Sequence, residues 1–149
     1  ADLTALAPEG ERVIVANLPY NIATPLLTGW LRQIREMPGC YSRMLLMFQR
    51  EVAERLTAPC GGKTYGRLSV LAQWLCRTEH VFTLPPQAFT PPPKIKSSIV
   101  RFTPLPLTAD APPFAAVEQV TAAAFQQRRK MVRTSLHDYA GYFAACGID

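Results

Sequence analysis

The stretch Val13-Ile14-Val15-Ala16-Asn17-Leu18-Pro19-Tyr20-Asn21 limits what this chain can fold into more than any other. A short β-branched apolar run reads as a strand buried on both faces, as in a parallel sheet. Pro19 has no N–H to give to a ladder, so the strand must end there. An amide side chain and a phenol are thereby left at the carboxyl end of a parallel strand. Open α/β sheets bind their ligands at that end.

The segments that follow fit the same architecture. Thr24-Pro25 predicts a helix start, with Thr24 as N-cap and Pro25 at the first helical position. Leu27, Trp30, Leu31 and Ile34 recur at helical spacing, and Met37-Pro38-Gly39 ends the helix. Met44 to Phe48 is short and wholly apolar, which predicts a second central strand, and Gln49 to Leu56 reads as a surface helix. Strand, helix, strand, helix argues for an α/β domain. Ser69 to Cys76 is compatible with helix or strand, and Val81 to Leu84 reads as strand. Pro85 to Pro93 must be a stiff extended loop. Ser98 to Phe102 alternates and predicts an edge strand antiparallel to the preceding one. A proline-rich linker spans Pro104 to Pro113. Helical stripes follow at Phe114 to Ala124 and at Arg129 to Tyr139.

Composition narrows the class. A chain of 149 residues that is 48% hydrophobic can build one real core. No apolar run reaches the ~20 residues of a membrane span. The start, Ala1-Asp2-Leu3-Thr4, has neither a signal-peptide pattern nor a Met, which predicts processing or an origin inside a longer protein. Cys40, Cys60, Cys76 and Cys146 have no CxxC spacing and no nearby histidine, which argues against zinc or another metal and for reduced thiols in the cytoplasm. His80 and His137 are isolated and read as surface or packed imidazoles.

Three clusters carry chemistry. Asn17-Leu18-Pro19-Tyr20 suits methylation of an exocyclic amine on a planar base. Such an amine is a poor nucleophile because its lone pair is delocalised into the ring. An amide oxygen and a backbone carbonyl can each accept one of its N–H bonds and orient the nitrogen. Stacking on an aromatic ring adds ~1–3 kcal/mol. The plainer reading is a strand that stops at a proline, with Tyr20 in the core. Phe89-Thr90-Pro91-Pro92-Pro93-Lys94 places a second aromatic on a pre-ordered loop, either as the other jaw of a base clamp or as a core anchor. Arg128, Arg129, Lys130 and Arg133 form a one-signed cluster suited to phosphates, although such runs are also common on solvated helices.

In order along the chain, Val-Ile-Val-Ala-Asn-Leu-Pro-Tyr-Asn-Ile-Ala-Thr-Pro (13–25), Phe-Gln-Arg-Glu-Val-Ala-Glu-Arg (48–55), Tyr-Gly-Arg-Leu-Ser-Val (65–70), Phe-Thr-Pro-Pro-Pro-Lys-Ile-Lys-Ser-Ser (89–98) and Ala-Phe-Gln-Gln-Arg-Arg-Lys (124–130) resemble the KsgA family of small-subunit rRNA adenine N6,N6-dimethyltransferases. The resemblance implies the second half of a class I S-adenosylmethionine-dependent methyltransferase fold, Rossmann-like with a mostly parallel sheet, over residues 1–104. It implies the start of a small helical rRNA-binding domain over 105–149. Asn17 and the Leu18 carbonyl would receive the adenine amine, with Pro19 in the same motif. Tyr20 and Phe89 would sandwich the base, which must first leave its stack. Asn17 would also lie beside the methionine portion of S-adenosylmethionine. Arg128, Arg129, Lys130 and Arg133 would face phosphates of small-subunit rRNA in the 30S particle.

The implied activity is dimethylation of two adjacent adenosines near the 3′ end of that rRNA, by a monomer in the cytoplasm. The family's Gly-rich cofactor loop and ribose-binding acid lie upstream of the Asn17 motif, and Asp2 comes too late to replace that acid. These residues alone are therefore expected to be inactive and to bind S-adenosylmethionine weakly. Two alternatives stand: a large-subunit rRNA methyltransferase of the macrolide-resistance type, and a non-catalytic module for 30S assembly. DNA adenine methyltransferases fit the basic helix poorly.

Overall fold

The computed structural model describes residues 10–108, 110–126 and 136–139. The chain divides into two compact units at Ala111/Pro112. In the first, four strands form one sheet in the order β1-β2-β4-β3: β1 Val13–Asn17, β2 Arg43–Gln49, β3 Cys76–Leu84 and β4 Ser97–Pro104. β1 runs parallel to β2, while β4 is antiparallel to both β2 and β3. The reversal follows from the connection: β3 and β4 are joined directly by the 85–96 loop, which turns the chain back on itself. β4 is an interior strand rather than the predicted edge, which β3 occupies.

Helices α1 (Tyr20–Glu36), α2 (Arg50–Leu56) and α3 (Arg67–Leu75) form a layer on one face of the sheet. α1 turns Ala23, Leu27, Trp30, Leu31 and Ile34 inward. Beneath the layer lie Met44, Leu46, Phe48, Val100 and Phe102, all essentially without solvent contact. Register explains the grouping, because Met44 pairs with Phe102 and Leu46 with Val100, and paired residues share a face. Phe48 and Phe102 meet edge to face at 6.2 Å.

The 13–16 run departs from the expected burial on both faces. Ile14 is buried, but Val13 is 45% and Val15 76% exposed. The three helices of the first unit, among its described residues, lie on the side of the sheet that Ile14 faces, so alternation along the strand sends Val13 and Val15 to the other. The helix after it also begins earlier than expected. The Pro19 carbonyl accepts the amides of Ile22 and Ala23, which starts α1 at Tyr20 and leaves Pro25 inside the helix. Thr24 is therefore not the N-cap. Its carbonyl accepts the Thr28 hydroxyl within the helix instead.

The 69–76 stretch resolves into helix α3 followed at once by β3. The α2–α3 joint is closed by side chains. Ser69 donates to the Arg55 carbonyl, the Gln73 amide donates to the Leu56 and Ala58 carbonyls at 3.0 and 2.9 Å, and Thr78 donates to the Leu56 carbonyl. These bonds satisfy carbonyls that the end of α2 would otherwise orphan. In the second unit, α4 spans Phe114–Gln126, as its stripe predicts, and a short 3-10 turn covers His137–Tyr139.

Candidate active site

β1 ends at Asn17 and α1 begins at Tyr20, so Leu18 and Pro19 are a two-residue hinge between strand and helix. The tightness of that hinge puts Asn17 and Tyr20 on the rim of one cleft. The opposite wall is the proline-stiffened loop after β3. Asn17, Leu18, Pro19, Tyr20 and Met47 line one side, and Phe89, Thr90, Pro91 and Pro93 the other. The cleft holds about 380 Å³ and opens to solvent. The Thr90–Pro91 peptide bond in its wall is cis.

All five residues assigned catalytic roles from the sequence, Asn17, Leu18, Pro19, Tyr20 and Phe89, therefore line the same cleft. Asn17 is exposed, which leaves its amide available to a ligand, and Tyr20 is half-buried. The Tyr20 hydroxyl and the Ser97 hydroxyl are hydrogen bonded at 2.6 Å. Ser97 has no solvent contact. This bond ties the start of α1 to the start of β4, across the sheet end, and fixes the ring of Tyr20 at the cleft.

Two contributors were not legible as site residues in the sequence. Met47 reaches the cleft because it is the parallel partner of Asn17. Ser97 anchors Tyr20 because the 85–96 loop returns the chain to the end of β2, where Ser97 pairs with Gln49. Register is a long-range property, and no local pattern around Met47 or Ser97 reveals it. Arg128, Arg129, Lys130 and Arg133 lie outside the described residues.

Among the described residues that line the cleft, none is acidic. A donor of the S-adenosylmethionine kind carries a ribose diol that carboxylates commonly take, and a methionine end that an amide can meet. The residues present fit only the second of these, at Asn17. Among the described residues, no group of three or more metal-binding side chains gathers, and no helix is long and apolar enough to cross a membrane. Cys40 and Cys76 are buried and Cys60 is exposed. Burial, and then the neighbouring Cys40, push the Cys76 thiol up to about 12, which keeps it protonated and inert.

A family model described as ribosomal RNA adenine dimethylase matches residues 4–143. The chain is 51% identical over 151 residues to a ribosomal RNA small subunit methyltransferase A of Rhodospirillum rubrum, covering 99% of this chain and 51% of that protein. It is 54% identical over 145 residues to the protein of the same name in Brucella melitensis, covering 94% and 50%. The chain thus spans about half the length of the curated relatives it matches. Among solved structures, a dimethyladenosine transferase from Plasmodium falciparum superposes with a TM-score of 0.72 at 26% identity, over 95% of this chain and 53% of the other. The 23S rRNA methyltransferase ErmE superposes at 0.63 with 23% identity, over 100% and 62%, and bears on the fold alone. Four strands in a mixed sheet with their helices correspond to part of the class I methyltransferase fold.

Proposed function

From the premise that the chain belongs to the ribosomal RNA adenine dimethylase family, we propose that it carries the adenine-receiving half of a small-subunit rRNA adenine N6,N6-dimethyltransferase. The observation that carries this reading is the gathering of Asn17, Leu18, Pro19, Tyr20 and Phe89, from two distant segments, around one cleft.

In this reading the Asn17 amide oxygen and the Leu18 carbonyl each accept one N–H of the adenine amine. Holding both hydrogens turns the nitrogen lone pair out of the ring plane, toward the incoming methyl group. S-adenosylmethionine, when bound, supplies that methyl on a positively charged sulfur. Once methylated, the amine nitrogen would give up a proton, made acidic by the new positive charge, to solvent in the open cleft. Tyr20 and Phe89 close on the two faces of the base, which has left its stack. Ser97 holds the Tyr20 ring in place through its hydroxyl. The methionine end of the donor is assigned to Asn17 and the rest of its site to the portion of the longer relatives that this chain does not match. The expected boundary at 104/105 moves to that of the compact units: the first, to Ala111, is assigned the catalytic part and the second, from Pro112, the helical rRNA-binding part. There Arg128, Arg129, Lys130 and Arg133 take phosphates of small-subunit rRNA in the 30S particle. The same reading places the protein in the cytoplasm.

The test uses the full-length protein that contains this segment, with 30S particles and protein-free 23S rRNA as alternative substrates. Asn17→Ala is expected to lower methyl transfer to 30S particles by about 10²–10³, as loss of one oriented polar group does, and to leave RNA affinity unchanged. Arg129→Ala is expected to weaken RNA binding and to flatten its salt dependence by roughly 0.7–0.9 in slope. Unaltered methylation by Asn17→Ala would reject the amine-receptor role and favour a non-catalytic assembly module. Preference for 23S rRNA would favour the large-subunit class.

A further inference from the structure

A second opening lies at the same end of β2 and on the same 85–96 loop as the cleft. It is lined by Gln49, Arg50, Glu51, Ile95 and Lys96 and holds about 270 Å³. Gln49 lies two residues beyond Met47 on β2 and pairs with Ser97, the residue bonded to the Tyr20 hydroxyl. The Arg50 amide donates to the Lys96 carbonyl at 3.0 Å, which fixes the two sides of the opening together. One loop serves both spaces. Phe89, Thr90, Pro91 and Pro93 face the cleft and Ile95 and Lys96 face the second opening; Lys94 joins the two runs in sequence. On the extended strand β2, Met47 to Gln49 spans roughly 7 Å. That is the reach of one sugar–phosphate unit.

The charge of this opening is one-signed once its ion pairs are set aside. Arg50 pairs with Glu54 at 2.9 Å, and Arg55 pairs with Glu51. Each pair cancels within α2. Lys94 and Lys96 are both exposed, and neither is ion-paired among the described residues. Between them Ile95 leaves an apolar surface, 43% exposed, in polar surroundings. Two free cations flanking an aliphatic surface, beside a half-buried amide, suit a nucleotide: phosphates for the lysines, a base face for Ile95, a base edge or ribose hydroxyl for Gln49.

We propose that the second opening holds the nucleotide next to the one whose base enters the cleft, with Lys94 and Lys96 on its phosphates and Ile95 against its base. The inference rests on the cleft being an adenine receptor. It adds a second place on the same strand of RNA, set by the 89–96 loop.

The experiment titrates the whole chain with adenosine and with the dinucleotide pApA, followed by amide chemical shifts. pApA is expected to bind about tenfold tighter than adenosine, since it adds phosphates and a second base. It is expected to shift Gln49, Arg50, Ile95 and Lys96 as well as the cleft. The variant Lys94→Gln/Lys96→Gln changes only exposed side chains. It is expected to bring pApA down to the affinity of adenosine and to leave adenosine binding unchanged. Equal affinity of the wild type for both ligands, or pApA binding indifferent to the two lysines, overturns the second subsite. Asn17→Ala keeps the two readings apart. If it weakens adenosine binding while pApA gains nothing from the lysines, the cleft stands and the second subsite falls. If adenosine binding ignores Asn17→Ala, the cleft reading falls, and this inference with it.

Discussion

The two faces of the sheet are built from the same strands and carry different burdens. On the helix-covered face, Met44, Leu46, Phe48, Val100 and Phe102 have lost essentially all contact with water. On the other, Val15 is 76% exposed and Phe82 50%. At the sheet end, Asn17 and the tip of the 85–96 loop stay open around the cleft. Neighbouring residues of a single strand thus answer to different physics. Ile14 is held by packing, whereas Asn17, three positions on, is free to meet a ligand. Substitutions should sort accordingly, with large losses of stability on one face and small ones on the other.

The sharpest break of this contrast is Phe102→Ala. The ring is fully buried, meets Phe48 edge to face and sits between β2 and β3. Truncating a buried aromatic costs about 3–5 kcal/mol. Urea unfolding should show that loss, which is a large part of a domain's total stability. A loss under about 1 kcal/mol would mean that the helix-covered face is not where the fold is held.

A smaller effect tests the boundary between the two regions, at the Tyr20–Ser97 bond. Both hydroxyls belong to it, but Ser97 has no access to water and Tyr20 is half-buried. Tyr20→Phe leaves the Ser97 oxygen buried without a partner, a penalty of about 1–3 kcal/mol. Ser97→Ala leaves a phenol that can turn to solvent, so its cost is expected below about 1 kcal/mol. Paired unfolding curves of the two variants read the difference. Equal costs, or a larger one for Ser97→Ala, would show that the bond is not the buried clamp described.

The same boundary separates what could be read from the sequence from what could not. The Asn17–Tyr20 corner and Phe89 are legible because their chemistry is local: a β-branched run, a proline that ends it, an aromatic on a stiff loop. The partners that complete the cleft are not, because Met47 and Ser97 arrive through strand register. Exposure of Val13 and Val15 is hidden for a related reason. An unbroken apolar run looks the same whether one face or both are covered, and the covering layer is set by helices elsewhere in the chain. The start of α1 was masked by a strong local signal at Thr24-Pro25. A longer helix prevails because Tyr20 to Glu36 buries Ala23 a full turn before Leu27, and the Pro19 carbonyl captures two amides.

The least effect is expected from the polar pair on the open face. Arg101 donates to Glu79 at 2.9 Å across the β3–β4 register, and both side chains remain well exposed. That hydrogen bond, aided by the positive charges of Arg101 and Arg77, holds the Glu79 carboxyl below its ordinary value of 4.5. A depressed carboxyl stabilises the fold while it is ionised. The contribution is therefore fully present above about pH 4.5 and fades as pH falls through the lower folded value. The pair is solvent-screened, so the change must be small beside those at Phe102 and Ser97. Melting temperatures of the wild type and Glu79→Gln, compared between about pH 6 and pH 3, isolate it, because every other acid titrates in both proteins. The gap in favour of the wild type should close toward the acid end. A gap that is absent at pH 6, or that persists unchanged at pH 3, would show that the open face takes no stability from this pair and depends on the covered face alone.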